Sequence, residues 1–329
     1  MQIFDSPDNP CPPGAEIFVL RTRDALNLRA AYWPAKGDAR GTLVLAQGRG
    51  EFIEKYLEII VDFIESGLNV ITFDWRGQGL SDRLLKDRRK GHVDDVAAYL
   101  EDLAAVEIWL SERKCTRPWF ALGHSLGGAL LLLRAHTAPT PFARMVLSAP
   151  MIDLAGLKYP RGARLLARAL DLVGLGSSFV PGGTATAYFT QPFAGNVLTS
   201  DPKRYAKFTA LAAQAPDIWV GSPTVHWLVS AFALMQKFAA PDYAMDIEVP
   251  ILILAAGHDR VVDTPATARF AQYLKNGHMV TIAGAEHELM IERDELRAQF
   301  LAAFAAYIPG SQPEAAPLTT ASKASLPVR

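Results

Sequence analysis

Residues 119–133 read WFALGHSLGGALLLL, and this stretch decides the fold. The apolar run WFAL predicts a buried strand, and the leucine-rich run after Gly128 predicts a helix. Between them, Gly123 to Gly127 read GHSLG, which matches the pattern G-x-S-x-G. Between a strand and a helix, that pattern is typical of a sharp turn that exposes the serine hydroxyl at a sheet edge. We predict Ser125 as a nucleophile; an ordinary glycine-rich turn is the alternative.

The alternation of strand and helix extends along most of the chain. Apolar runs of strand length include GTLVLAQG, NVITFDW, MVLSAP, VPILILAAG and HMVTIAG, and helical patterns separate them. Two earlier runs, EIFVL and LNLRAAYW, predict an N-terminal hairpin. Continuous apolar strands joined by helices are typical of a parallel sheet with helices on both faces. The predicted fold class is therefore α/β with a mostly parallel central sheet.

One segment, residues 151–248, interrupts this alternation after the sixth strand. It has helical periodicity and many Pro and Gly residues, but it lacks a strong strand pattern. Because a structureless loop of that length is uncommon in a compact domain, we predict a helical cap. It leaves the sheet at the carboxyl end of a strand, where α/β proteins bind ligands. The predicted parts are an N-terminal extension (1–14), a core (15–152 and 245–308), a helical cap (153–244) and a disordered tail (309–329).

Composition and charge exclude several classes of function. The chain has 329 residues, and its 33 Lys and Arg nearly balance its 34 Asp and Glu, so no strong field attracts nucleic acid. Cys11 and Cys115 form neither a disulfide framework nor a metal-binding spacing. No signal peptide or membrane-spanning run is evident. We expect a soluble, cytoplasmic protein without a metal or organic cofactor, and its oligomeric state is open.

A catalytic base is expected after the last strand of the sheet. His287 follows the strand HMVTIAG directly, in a loop that reads GAEHE. Among the seven histidines, His258 is the strongest rival, because it neighbours the candidate acid. His124 adjoins Ser125, so its side chain is expected to point elsewhere. We predict His287 as the base.

The acid is expected after the penultimate strand, VPILILAAG. Asp259 falls just past the end of that strand, where its carboxylate could fix the tautomer of His287. Asp263 precedes Thr264 and Pro265, so we predict that it caps the next helix. The chain order Ser125, Asp259, His287 is that of the α/β-hydrolase fold.

An oxyanion hole needs two backbone N–H groups. The first is expected from Leu126, the residue after the nucleophile. The second is expected from the loop Gln47 to Glu51, most simply from Arg49. The G-x-G in that loop could indicate a dinucleotide-binding turn, but the third glycine and an acidic partner for ribose are missing.

These segments together resemble the bacterial lysophospholipases and monoacylglycerol lipases of the α/β-hydrolase superfamily, which are grouped with the serine aminopeptidase-like hydrolases. The matching segments, within residues 15–308, are QGRGEFIEKY, FDWRGQGLSDR, KGHVDDVAAYLEDL, GHSLGG, SAPMID, GHDRVVD and GAEHELMIERDELR. The lipases often have His-Gly where this chain has Gln47-Gly48, which is closer to the lysophospholipases. The resemblance implies a monoacyl lipid or small ester as substrate, and it implies the same site residues, Ser125, Asp259, His287, Arg49 and Leu126.

Three other functions remain open at this stage. An iminopeptidase shares the fold and triad, but it needs acidic groups in the cap, which has few (Asp171, Asp201 and Asp217 among them). A short-chain carboxylesterase would use the same chemistry. A non-enzymatic scaffold is disfavoured by the intact set of site residues.

Two basic clusters raise the question of peripheral contact with an anionic membrane. Residues 156–176 predict a cap helix with Arg161, Arg164, Arg168 and Asp171 on one face and Leu165, Leu166, Ala169, Leu172 and Val173 on the other. Its apolar face could pack on the protein core or form a lip that touches anionic lipid. The second cluster is Arg83, Lys86, Arg88, Arg89 and Lys90, on the same side of the predicted sheet.

Overall fold

The computed structural model describes residues 2–157 and 159–309, so the predicted tail lies outside the described residues except for its first residue. One eight-stranded sheet runs through the molecule in the order β1-β2-β4-β3-β5-β6-β7-β8. Its strands are β1 (Glu16–Arg21), β2 (Asn27–Trp33), β3 (Gly41–Ala46), β4 (Leu68–Phe73), β5 (Trp119–His124), β6 (Arg144–Ser148), β7 (Ile251–Ala256) and β8 (Gly277–Ile282).

The pairing of these strands confirms the predicted sheet. β1 pairs with β2 and β2 with β4 in antiparallel fashion, while all pairs from β4 through β3 to β8 are parallel. In the centre, Val44 pairs with Ile71 on one side and with Ala121 on the other. β3, β4, β5 and β7 are buried along their whole length, which explains why they are continuous apolar runs in the sequence.

Helices cover both faces of the sheet. The helices that flank its strands are α1 (Leu57–Glu65), α2 (Tyr99–Glu112), α3 (Leu126–Thr137), α8 (Thr264–Ala271) and α9 (Asp294–Tyr307). α1 and α9 share one core, in which the rings of Phe63 and Phe304 lie 4.6 Å apart. α2, α3 and α8 contribute to the core on the other face, through Leu103, Leu130 and Phe270.

Four α-helices lie in the described part of the segment between β6 and β7 (149–250), hereafter the inserted segment. They are α4 (Pro160–Leu170), α5 (Pro202–Gln214), α6 (Val225–Phe238) and α7 (Pro241–Met245). The side chains of Asp201 and Thr224 accept hydrogen bonds from first-turn N–H groups of α5 and α6, respectively. No strand of the sheet lies among the described residues of this segment, which confirms its predicted helical character.

Helix α4 turns its predicted apolar face away from the protein core. Leu165 and Leu166 are 71% and 53% exposed, and Leu172, just after the helix, is 88% exposed. Instead, Ala167 is buried, and Arg164 reaches Asp153 at 3.3 Å. Of the two alternatives, packing of the apolar face on the core is therefore wrong, because small residues and an arginine stem form the inward face.

Candidate active site

Ser125 forms the corner between β5 and α3 in a strained conformation. Its φ of 49° and ψ of −112° are unusual for a residue with a side chain, and such a conformation costs about 1–3 kcal/mol. The corner is held by the Ser125 N–H, which donates to the Ser148 carbonyl at 3.0 Å, and by the Met151 N–H, which donates to the Ser125 carbonyl. Ser125 lines the apolar cavity described below.

The helix after this corner lies close to the main chain of β3, and Gly127 is the point of contact. A Cβ at Gly127 would lie 2.2 Å from the Ala46 carbonyl oxygen. We expect Gly127→Ala to lower the free energy of unfolding by about 1–3 kcal/mol or more, because neither backbone can yield. Thermal or urea unfolding measures this.

Gly162→Ala in α4 is the matched control, since the nearest atom to its added Cβ would be 3.7 Å away. We expect this helical replacement to be neutral or to stabilise by up to about 1 kcal/mol. Equal effects of the two replacements would contradict the role of close packing at Gly127.

His287 and Asp259 form a hydrogen-bonded pair beside the same cavity. Nδ1 of His287 lies 2.8 Å from Oδ2 of Asp259, and His287 is only 3% exposed. The Asp259 carboxylate also accepts the N–H groups of Val261 and Val262. Burial alone would raise the pKa of Asp259, but His287 and these N–H groups hold that pKa below its usual range. Because Ser125 and His287 line one cavity, the structure brings all three predicted residues to one edge of the sheet.

The rival residues lie elsewhere. His258 is mostly exposed, and its Nδ1 lies 3.2 Å from Glu286, which also binds Arg260. Asp263 caps α8 by accepting the N–H of Ala266, as predicted. Neither side chain pairs with His287.

The two predicted oxyanion donors are the N–H groups of Leu126, next to Ser125 in the chain, and of Arg49, which lines the same cavity as Ser125. Leu126 is the first residue of α3, so its N–H belongs to the first turn, which has no acceptor within the helix. On either side of Arg49, the N–H groups of Gly48 and Gly50 donate to Glu51 and Gln78. Within the described chain, the N–H of Arg49 has no hydrogen-bond acceptor. Both N–H groups are thus available to an oxyanion.

The expectation that the His124 side chain points away from the site is wrong. Its fully buried ring lies 4.8 Å from the ring of His287, centroid to centroid. Its Nδ1 donates to the Ser148 carbonyl, and its Nε2 lies 3.1 Å from the Glu288 carboxylate. The expectation failed because β5 ends at His124, where its side chain turns toward the loop that carries His287.

His124 belongs to a buried charge network that the sequence analysis missed. Lys55 Nζ lies 2.5 Å from a carboxylate oxygen of Glu51 and 2.5 Å from one of Glu288. The Glu51 carboxylate also accepts the Tyr56 hydroxyl and the Gly48 N–H. The network therefore ties the proposed oxyanion loop to the loop that holds His287.

Opposite charges keep Lys55 and Glu288 ionised despite their burial. Burial alone would lower the pKa values of Lys55 and His124, but the neighbouring glutamates raise both. Burial would raise the pKa of Glu288, yet Lys55 and His124 hold it well below its usual range. Glu51, His124 and Glu288 are also the described residues that could hold a metal ion, with ligand atoms within 4.8 Å of one another. The Lys55 ammonium already supplies the positive charge between the two carboxylates.

A cavity of about 430 Å³ extends from Ser125 between the sheet edge and the inserted segment. Most of its lining is apolar, which suits an acyl chain. Four of the aromatic residues of the predicted cap contribute to it: Tyr188, Phe189, Trp219 and Trp227. Its acidic and basic lining residues among those described are Arg49, Glu51, Lys55 and Glu288, and His287 also lines it.

The parallel sheet, the strained serine corner and the inserted helices define an α/β-hydrolase. Residues 37–294 match the family model described as serine aminopeptidase, S33. The chain belongs to this family, which confirms the predicted class of hydrolase.

Curated relatives and solved structures agree with this assignment. Lysophospholipase L2 of Escherichia coli (strain K12) is 34% identical over 268 residues, which cover 78% of this chain and 76% of the relative. The monoacylglycerol lipase of Mycolicibacterium smegmatis is 23% identical over 80% of this chain and 86% of the relative. A monoglyceride lipase structure from Saccharomyces cerevisiae shares the fold, with a TM-score of 0.74 at 21% identity over 91% of this chain and 96% of that one.

Proposed function

We propose that this chain is a serine hydrolase that cleaves the carboxylic ester of a monoacyl lipid, a lysophospholipid or a monoacylglycerol. The observation that carries the proposal is the His287–Asp259 pair, which borders the same apolar cavity as the strained Ser125. The names of the relatives support a lipid ester as substrate. The inserted segment would act as the cap (153–244) on a core of residues 15–152 and 245–308.

The chemistry would proceed through an acyl-enzyme. His287 Nε2 accepts the Ser125 hydroxyl proton while the serine oxygen attacks the ester carbonyl carbon. The N–H groups of Arg49 and Leu126 stabilise the oxyanion, and His287 returns the proton to the leaving alcohol. Water then hydrolyses the acyl-enzyme with His287 again as the base. Asp259 holds the imidazole orientation, and no cofactor is needed in this scheme.

The charged lining of the cavity favours an ester over a peptide amine. An iminopeptidase would hold the substrate ammonium on carboxylates, and the described cavity offers those of Glu51 and Glu288. Lys55 already binds both, so a substrate amine would have to displace a buried ion pair. The mostly apolar cavity of about 430 Å³ also exceeds what a short acyl group would fill.

The test is a hydrolysis panel with the full chain. It compares lysophosphatidylcholine, lysophosphatidylethanolamine, a monoacylglycerol, p-nitrophenyl butyrate and proline p-nitroanilide. We expect the highest kcat/KM for a long monoacyl ester. A preference for the butyrate would favour a short-chain esterase, and a preference for the anilide would favour a peptidase.

We also propose that the enzyme binds peripherally to an anionic membrane, at the inner face of the cytoplasmic membrane. No helix in the described part of the chain has the length and apolar character to cross a bilayer. The exposed side chains at and after α4 form an apolar patch instead: Tyr159, Leu165, Leu166, Leu172, Val173 and Leu175. In the second basic cluster, Lys86, Arg88 and Arg89 are exposed. Arg83 and Lys90 instead donate to backbone carbonyls.

We expect Leu165→Ser with Leu172→Ser to weaken binding to anionic vesicles about tenfold or more, because two exposed leucines no longer enter the lipid. Vesicle sedimentation measures the binding. Val19→Ser is the matched control, since Val19 is 48% exposed on β1, outside the patch. Unchanged binding of the double variant would remove the patch from the proposal.

Arg88→Glu with Arg89→Glu tests the basic cluster in the same assay. We expect weaker binding at low salt and a flatter salt dependence than wild type.

A further inference from the structure

Arg49 places a positive charge in the cavity wall without a carboxylate partner in the described chain. Its Nη2 donates to the Gly221 carbonyl at 2.8 Å, and its guanidinium lies 5.2 Å from the centre of the Trp227 ring. Its Nε has no hydrogen-bond partner. By contrast, the neighbouring cation Lys55 is bound by two carboxylates. Among the described residues that line the cavity, Arg49 is therefore the cation whose charge is not balanced by a carboxylate.

A largely buried guanidinium without a counter-ion is unfavourable, so its presence calls for an explanation. Burial lowers the pKa of Arg49 to about 10, which leaves it protonated at neutral pH. Of the five N–H groups of a guanidinium, one donates a hydrogen bond within the described residues. The unused donors suit an oxyanion such as a phosphate, which a planar guanidinium binds at two oxygens.

The location of this charge fits a phosphate on the substrate. Arg49 also carries the proposed oxyanion N–H, and about five covalent bonds separate its Cα from Cζ. In a lysophospholipid, roughly six covalent bonds separate the ester carbonyl carbon from phosphorus. One residue can thus contact both the reacting carbonyl, through its backbone, and the head-group phosphate, through its side chain.

We propose that the Arg49 side chain binds the phosphodiester of a lysophospholipid, so that the enzyme prefers lysophospholipids to monoacylglycerols of the same acyl chain. This inference rests on the proposed function, and it narrows the substrate class. A monoacylglycerol has a neutral hydroxyl in place of the phosphate and leaves the guanidinium without its counter-ion.

A purely structural role for Arg49 is the competing explanation. Its hydrogen bond to Gly221 and its contact with Trp227 connect the oxyanion loop to the inserted segment. Loss of such a connection would impair all substrates alike, whereas loss of a phosphate contact would impair only those that carry phosphate.

The experiment compares wild type with Arg49→Met and Arg49→Lys on 1-oleoyl lysophosphatidylcholine and 1-oleoylglycerol. Both replacements keep the backbone N–H. For Arg49→Met we expect kcat/KM on the lysophospholipid to fall at least tenfold more than on the monoacylglycerol, mostly through KM. Arg49→Lys keeps the charge and should restore part of the preference. Equal losses on both substrates, or no loss on either, would overturn the proposal.

Competition distinguishes a head-group site from a site for free anions. We expect glycerophosphocholine to inhibit 1-oleoylglycerol hydrolysis by wild type more strongly than inorganic phosphate does, and Arg49→Met to abolish this inhibition. Equal inhibition by inorganic phosphate would indicate a free-anion site and contradict the head-group proposal. Failure of wild type on both lipids would refute the proposed function itself, which is a different outcome from a loss of selectivity.

Discussion

Replacing Ser125 with alanine is expected to lower kcat on a monoacyl ester at least about 10⁴-fold, because the proposed acyl-enzyme can no longer form. The residual rate would come from the oxyanion N–H groups and from substrate binding. A fluorophosphonate probe should label the wild-type chain and leave Ser125→Ala unlabelled. The variant should fold normally, since alanine removes only the hydroxyl from the strained corner.

Ser111→Ala is the matched control for this prediction. Ser111 is exposed near the end of α2, away from the cavity, so its loss should change neither rate nor labelling. Labelling of Ser125→Ala equal to that of wild type would refute the assignment of the nucleophile.

Replacing Lys55 with methionine is expected to lower the free energy of unfolding by about 3–5 kcal/mol. The change leaves Glu51 and Glu288 buried without the cation that lies 2.5 Å from each of them, and an uncompensated buried charge is strongly destabilising. Activity should fall as well. The Glu51 carboxylate accepts the Gly48 N–H, and Glu288 lies in the loop that carries His287, so both loops would lose a contact that positions them. Urea unfolding and kcat measure the two effects.

The pH dependence identifies the cause of this destabilisation. In wild type, the pKa of Glu288 is lowered in the folded state, so its contribution to stability is present above about pH 4.3 and is lost as pH falls further. In Lys55→Met, burial without a cation should raise the folded-state pKa of the carboxylates. The variant should then gain stability as pH falls from 8 to 5, whereas wild type should not lose its Glu288 contribution over this range.

Lys36→Met is the matched control for Lys55→Met. Lys36 pairs with Glu65 at 3.6 Å, but both side chains are more than half exposed, so we expect a loss of at most about 1 kcal/mol. Lys55→Arg keeps the charge and should recover part of the stability. A Lys55→Met variant as stable as Lys36→Met, at every pH, would show that the network is not held by its charges.

The fold could be predicted because its elements have local signatures. β3, β4, β5 and β7 are buried on both faces and therefore appear as continuous apolar runs. The glycines around Ser125 mark a close approach of main chains, and that steric requirement is visible in the sequence. His287 and Asp259 were found from their places after two strands, and their hydrogen bond joins residues 28 positions apart.

The buried network could not be predicted, because its pairs are not local. The spacing of Glu51 and Lys55 is visible as an i,i+4 pair, but such pairs are usually on a solvated helix face. Lys55 and Glu288 are 233 positions apart, and no periodicity connects them. The orientation of α4 also could not be predicted from the sequence, because an amphipathic pattern alone does not tell which face of a helix packs on the protein core.

The ion pairs of Lys55 with Glu51 and Glu288 fix the relative position of two loops in the folded protein. The proposed oxyanion loop and the loop of His287 come from distant parts of the chain, yet one ammonium group joins them. Their alignment is therefore established once, when the chain folds, and does not have to be rebuilt with every substrate molecule. A preorganised polar site needs little rearrangement as charge develops on the carbonyl oxygen of a substrate.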